Sequence, residues 1–124
     1  MSGSYLLDTN AFINAIRRGI KLPSARYSYS VITELELLSF PELSLEEEYA
    51  ICSILRYMNR IELDDNIRRK TISVRRDKRM KLPDSIISAS AICISATLVT
   101  DDAKMAGQHL GSVISLSALV NLTT

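Results

Sequence analysis

Cysteine and histidine, the usual ligands of zinc and other soft metals, are scarce in this sequence. The 124 residues include two cysteines and one histidine. Neither Cys52 nor Cys93 belongs to a paired metal-ligand spacing, and both are interpreted as buried free thiols. His109 has no partner motif and is assigned no chemistry. Any metal site in this chain is therefore expected to use oxygen ligands.

Long apolar runs are also missing. The apolar, uncharged run of residues 85–100 is shorter than the roughly 20 residues of a membrane span. The N-terminus has no basic stretch followed by an apolar one, the pattern of a signal peptide. We therefore expect a soluble, cytoplasmic protein with no membrane partner. Hydrophobic residues make up 47% of the chain, enough for the core of a single domain covering residues 1–124.

Net charge is close to zero, but the basic residues are unevenly distributed. Lysine and arginine number 15, against 14 acidic residues, and eight of the 15 fall between positions 68 and 81. They could bind a phosphate backbone without reading its sequence, or form a solvated helix face. Helical spacing places Arg75 and Arg79 on one face. The candidates for substrate contact are Arg75, Arg76 and Arg79.

Short apolar segments alternate with amphipathic ones along the chain. The predicted strands cover residues 5–8, 27–30, 61–63, 97–100 and 113–116. The predicted helices cover residues 9–17, 31 to about 41, 44–59, 65–79, 86–94 and a short segment before the last strand. Such alternation predicts an α/β fold with a mostly parallel sheet covered on both faces.

Four acidic residues stand at comparable places in this pattern. Asp8 and Asp102 follow strands, Glu36 lies in the helix after the second strand, and Asp84 opens the buried helix. If the strands are parallel, all four meet at the carboxyl end of the sheet, where ligand sites form. Converging carboxylates repel one another unless a cation lies among them. Oxygen ligands favour Mg²⁺ or Mn²⁺, the ions of phosphoryl chemistry.

Each acid also has a purely structural interpretation. Asp8 could be a turn residue before a helix capped by Thr9 and Asn10, and Glu36 could be a solvated helix residue. Asp84 could stabilise the first turn of its helix, and Asp102 could be an N-cap. Capping does not require an acid at every one of these places, so their joint occurrence favours a site.

The same segments resemble the motifs of a known family. The resemblance lies in residues 6–13 (LLDTNAFI), 30–38 (SVITELELL), 82–91 (LPDSIISASA) and 98–102 (LVTDD). In order and spacing they are similar to the four motifs of PIN domains, and the likeness extends from residue 5 to about 116. In length the chain resembles VapC toxins of type II toxin–antitoxin systems.

This resemblance implies a three-layer α/β/α sandwich and an Mg²⁺- or Mn²⁺-dependent endonuclease acting on single-stranded RNA. It implies that Asp8, Glu36, Asp84 and Asp102 are the catalytic, metal-binding residues. It also implies that Thr100 is a supporting hydroxyl. VapC-like toxins are typically homodimers silenced by an antitoxin protein. An acidic part of that antitoxin, instead of RNA, could contact the basic residues between positions 68 and 81. The alternatives are a PIN nuclease of RNA processing and a non-catalytic binding module.

Neighbouring acids leave two assignments dependent on register. Glu34 stands two residues before Glu36, and the two point about 200° apart on a helix, so only one can face the cluster. Asp101 and Asp102 compete in the same way. Family spacing favours Glu36 and Asp102, and it places Asn10 at a position that often lines the site.

Overall fold

The computed structural model describes residues 3–123. Within them, five strands alternate with seven α-helices. The strands are β1 (Ser4–Leu7), β2 (Arg26–Ser30), β3 (Asn59–Ile61), β4 (Thr97–Val99) and β5 (Val113–Ile114). The helices are α1 (Thr9–Arg17), α2 (Val31–Leu38), α3 (Leu45–Leu55), α4 (Asp65–Lys78), α5 (Leu82–Cys93), α6 (Ala103–Gln108) and α7 (Leu116–Val120). A 3₁₀ turn, Asn121–Thr123, follows α7.

The strands form one parallel sheet in the order β3-β2-β1-β4-β5. Leu6 in the central strand β1 lies opposite Ser28 on one side and Leu98 on the other. The chain builds outward from β1 to β3, then crosses back and continues from β4 to β5. The strand order therefore reverses between β1 and β4, and the predicted parallel sheet is confirmed.

Alternating side chains of the central strands fill two separate cores. Leu7 and Val99 pack with residues of α1, α2, α3 and α7 in one hydrophobic cluster. Leu6 and Leu98 pack with residues of α4, α5 and α6 in another. Because neighbouring residues of a strand point to opposite faces, helices cover both faces of the sheet. The predicted α/β/α sandwich is confirmed.

Helix α5 is the most deeply buried helix, as its apolar sequence predicted. Every side chain from Ser85 to Ala91 is buried. Two of its three buried serines bond backward along the helix: Ser90 Oγ donates to the Ile86 carbonyl at 2.7 Å, and Ser85 Oγ to the Lys81 carbonyl at 2.8 Å. The third, Ser88, pairs with His109 at 2.6 Å, so the hydroxyls of all three serines have partners.

Several predicted boundaries are corrected by hydrogen bonds at helix ends. Helix α3 begins as expected, with a reciprocal capping box between Ser44 and Glu47, but it ends at Leu55, and β3 begins two residues earlier than predicted. The last strand stops at Ile114 because the Ser115 hydroxyl accepts from the Ala118 amide and starts α7. Asp8, rather than Thr9 or Asn10, caps α1.

The predicted burial of the cysteines is wrong, although both are free thiols. Cys52 is half-buried, and Cys93 is exposed because it is the last residue of α5. Among the described residues, no helix combines the length and apolar character needed to span a membrane.

Candidate functional site

Asp8 occupies the junction between β1 and α1 at the carboxyl edge of the sheet. Its side chain is only 5% exposed, and its Oδ1 accepts a hydrogen bond of 2.8 Å from the Ala11 amide, which caps α1. Its own amide donates to the Val99 carbonyl at 3.0 Å. These contacts fix the carboxylate at the point where the strand order reverses.

The environment of Asp8 raises the pKa of its carboxyl group. Burial is the largest cause, and the charges of Asp84 and Asp101 add to it. Hydrogen bonding from Thr100 and from the Ala11 amide acts in the opposite direction. Thr100 Oγ1 accepts from the Asp102 amide at 3.1 Å, which leaves its own proton free to point to Asp8. The Thr100 hydroxyl, predicted to support the site, is therefore hydrogen-bonded to Asp8.

Asp84 lies in the first turn of α5, and its side chain is half-buried. Burial raises its pKa most, followed by the negative charges of Asp102 and Glu36. Lys81 and Lys104 lower it. Asp84 thus experiences the charge of two other predicted site acids, and Asp8 experiences the charge of Asp84. The four acids form one electrostatically connected group.

Glu36 faces this group, whereas Glu34 does not. Thr9 Oγ1 donates to Glu36 Oε1 at 2.7 Å. Thr9 Oγ1 also lies 3.0 Å from Thr33 Oγ1. Glu34 points elsewhere and forms an ion pair of 3.2 Å with Arg60. The choice of Glu36 over Glu34 agrees with this geometry.

The two adjacent acids after β4 have different partners. Asp101 joins three elements: its Oδ1 accepts from the Leu116 amide at 2.9 Å and its Oδ2 from Asn14 Nδ2 at 3.2 Å. Asp102 caps α6 by accepting from the Lys104 amide at 2.9 Å. Asp101 is therefore held as a structural link, while Asp102 remains exposed beside Asp84.

Three further residues bear on the predictions for the site, one predicted to line it and two that were not predicted. Asn10 lies exposed in the first turn of α1, two residues after Asp8. Thr9 and Thr33 were not predicted to contact the cluster. A hydroxyl directly after the strand-ending Asp8 was the available signal for Thr9, but it resembled a helix cap.

The three predicted substrate-contact arginines occupy three different environments. Arg75 Nε donates to the Met80 carbonyl at 3.2 Å, so its guanidinium fixes the α4–α5 connection. Arg76 lines a separate cavity with Arg69 on α4. Arg79 alone lines a cavity that also includes Asp84 and Asp102.

The donor set fits a hard cation with some of its water retained. Within residues 3–123, no three acidic, histidine or cysteine side chains lie close enough to enclose an ion by themselves. Mg²⁺ in proteins keeps several waters and takes one or two carboxylates directly. Burial is the main cause of the raised pKa values of Asp8 and Asp84, and neighbouring carboxylates add to it; a divalent ion would compensate that negative charge.

Comparisons with known proteins agree with this architecture. Residues 5–107 match the family model described as PIN domain. A DNA-bound VapBC from Salmonella typhimurium has a similar fold, with 20% identity and a TM-score of 0.79 over 94% of this chain and 99% of that chain. So does a toxin–antitoxin complex from Klebsiella pneumoniae, with 23% identity, a TM-score of 0.76 and coverage of 90% and 97%.

PAE2754 from Pyrobaculum aerophilum is also similar, with 18% identity, a TM-score of 0.69 and coverage of 97% of this chain and 96% of that chain. The comparison with curated protein sequences gave no match. The family model covers most of the described residues. The chain belongs to the PIN domain family.

Proposed function

We propose that this protein is a metal-dependent endoribonuclease that hydrolyses phosphodiester bonds of single-stranded RNA. One observation supports the proposal: Asp8, Glu36, Asp84 and Asp102 come from four separate segments, and the charge of Asp84 interacts with those of the other three. Their mutual repulsion contributes to the raised pKa of both Asp8 and Asp84. Such an arrangement costs stability in the free protein and suits a site that gains a cation.

The residues that would hold Mg²⁺ or Mn²⁺ are Asp8, Glu36, Asp84 and Asp102. A bound divalent ion supplies activation of water and stabilisation of the departing oxygen in phosphodiester hydrolysis. The protein contributes preorganised ligands. The Ala11 amide and Thr100 orient Asp8, and Thr9 orients Glu36. Carboxylates held in this way need little rearrangement when they bind.

The proposed biological role is that of a toxin in a toxin–antitoxin pair. It is supported by likeness to chains of VapBC and toxin–antitoxin complexes over 90% or more of each chain. The partners would be an RNA substrate, a cognate antitoxin protein and a second copy of this chain, in the cytoplasm. Expression of the wild-type chain alone should stop growth, and expression of the Asp84→Asn variant should not.

The direct test is cleavage of a mixed-sequence single-stranded RNA with Mg²⁺ or Mn²⁺, with EDTA, and with the Asp8→Asn variant. Asparagine is as good an N-cap as aspartate, so this change removes charge and retains the start of α1. The proposal requires metal-dependent cleavage that the variant loses. Cleavage that survives Asp8→Asn, or its absence across single-stranded, tRNA and rRNA substrates, would reject the nuclease assignment.

A further inference from the structure

A small cavity beside the acids is lined by cations. It has a volume of about 90 Å³, and its lining includes Arg79, Lys81 and Lys104 together with Asp84 and Asp102. Pockets for whole small molecules occupy roughly 300–1,000 Å³. This cavity therefore suits a single charged group of a larger ligand. All three cations have exposed side chains.

These cations are available to bind a ligand. In residues 3–123, the cations of the ion pairs are Arg60 and Arg68 only. Lys81 and Lys104 lie near enough to Asp84 to lower the pKa of its carboxyl group, but neither forms a salt bridge with it. A cation without a direct carboxylate partner loses little by contacting a phosphate.

The backbone around the cavity is fixed before any ligand arrives. The connection between α4 and α5 is held by three side chains: Arg75 donates to the Met80 carbonyl, Ser85 to the Lys81 carbonyl, and Gln108 Nε2 to the Lys78 carbonyl at 3.1 Å. A preformed loop avoids the entropy cost of ordering on binding.

Two backbone features place positive charge at this cavity. Arg79 follows α4 as its C-cap with φ 53° and ψ 33°, a left-handed conformation that glycine adopts more easily. The chain thus carries an arginine at a position where the backbone alone would favour glycine. Lys81 is the N-cap of α5 and makes no side-chain capping bond, so the positive end of this twelve-residue helix adjoins the same cavity.

We propose that Arg79, Lys81 and Lys104 form a phosphate-binding pocket that holds the nucleic-acid backbone next to the acidic group. This inference rests on the proposed nuclease function and names the substrate-binding side of that site. The pocket would contact a phosphate neighbouring the one that is cleaved. Contacts of this kind position a strand without reading its bases.

Binding of a fluorescently labelled single-stranded oligoribonucleotide in EDTA tests the pocket without any metal. The variant is Lys81→Gln/Lys104→Gln. The matched control is Lys21→Gln/Lys70→Gln, which removes the same charge from the opposite edge of the sheet: Lys21 lies between α1 and β2, and Lys70 adjoins residues preceding β4 and β5. The Lys81→Arg/Lys104→Arg variant keeps the charge.

We expect the glutamine variant at the pocket to weaken binding about tenfold. We also expect it to lower the slope of log affinity against log salt by about 0.7 for each lost phosphate contact. The arginine variant should bind like the wild type, and the control should change affinity less than about threefold. Equal weakening by control and pocket variants, or no binding by the wild type, would overturn the pocket.

The same variants separate this inference from the nuclease proposal. Wild-type protein that binds RNA through Lys81 and Lys104 but cuts nothing with metal would retain the pocket and reject the nuclease. Wild-type protein that cuts, beside a double variant that binds RNA with unchanged affinity and salt dependence, would retain the nuclease and reject the pocket.

Discussion

The Thr9 hydroxyl donates to the Glu36 carboxylate at 2.7 Å and thereby joins the first turn of α1 to α2. Its second neighbour, Thr33 Oγ1, lies 3.0 Å away and is buried one helical turn before Glu36. The helices that precede and follow β2 in the chain are thus connected through one oxygen atom. The bond holds the Glu36 carboxylate against the start of α1.

Replacing Thr9 by valine should therefore reduce activity more than stability. The change removes a hydrogen bond worth about 1 kcal/mol and releases Glu36 from its orientation. Loss of such an orienting contact costs about tenfold in metal affinity or activity. Thr9→Ser retains the hydroxyl and should behave like the wild type. Metal-dependent cleavage rates and urea unfolding of both variants check this expectation, which fails if valine is tolerated.

The neighbouring acids Asp101 and Asp102 should separate stability from catalysis. Asp101→Ala leaves the Leu116 amide and Asn14 without their acceptor, which should lower the free energy of unfolding by about 1–3 kcal/mol. Asp102→Asn keeps the cap of α6 and removes charge beside Asp84. It should unfold like the wild type but cleave at least about tenfold more slowly. The opposite pattern would assign the site to Asp101.

Removing the charge of Asp8 should not destabilise the metal-free protein. Asp8→Asn keeps the N-cap of α1 and relieves repulsion by Asp84 and Asp101, so its melting temperature in EDTA should equal or exceed that of the wild type. Asp8→Ala loses the cap and should cost about 1 kcal/mol. If both variants were equally destabilised, the carboxylate charge itself would be holding the fold together.

His109 should make stability depend on pH on the acidic side of neutrality. Its ring is 8% exposed, Nδ1 lies 2.6 Å from Ser88 Oγ, and Nε2 has no partner among the described residues. Burial lowers its pKa below the ordinary 6.5. The folded protein thus binds a proton at His109 less readily than the unfolded chain does. The contribution of neutral His109 to the free energy of unfolding is therefore complete above about pH 6.5 and is lost as pH falls through the lowered pKa.

The measurement is the free energy of unfolding of the metal-free protein between about pH 8 and pH 5. The His109→Gln variant should lose the histidine's contribution to this pH dependence and show a shallower decline below pH 6.5. Equal declines in both proteins would assign the acid sensitivity to other groups.

The sequence was most informative where burial and periodicity agree. The parallel sheet and the buried α5 followed from apolar spacing, and the positions of Asp8 and Asp84 followed from strand and helix ends. The predictions from sequence were wrong where a single hydrogen bond sets the end of a strand or the start of a helix. Ser115 ends β5 earlier than apolar spacing suggested, because a hydroxyl can cap a helix wherever the chain turns.

Tertiary contacts explain the remaining differences at the site. The environment of Arg75 depends on a carbonyl five residues later, in a left-handed turn that helical spacing cannot predict. The contact of Lys104 with the acidic region depends on how α6 packs near α5. Neither residue has a local signature that distinguishes a structural cation from one available to substrate.

The central strand β1 pairs on both sides, with β2 and with β4, and this has a consequence during synthesis. A nascent chain that has emerged only as far as α4 carries Asp8 and Glu36 but lacks Asp84, Asp102 and the strand that brings them together. The complete group of acids can form only after residues 97–99 dock beside β1. For a protein that would cut RNA, the emerging chain therefore lacks a complete site until the segment containing β4 has emerged and folded.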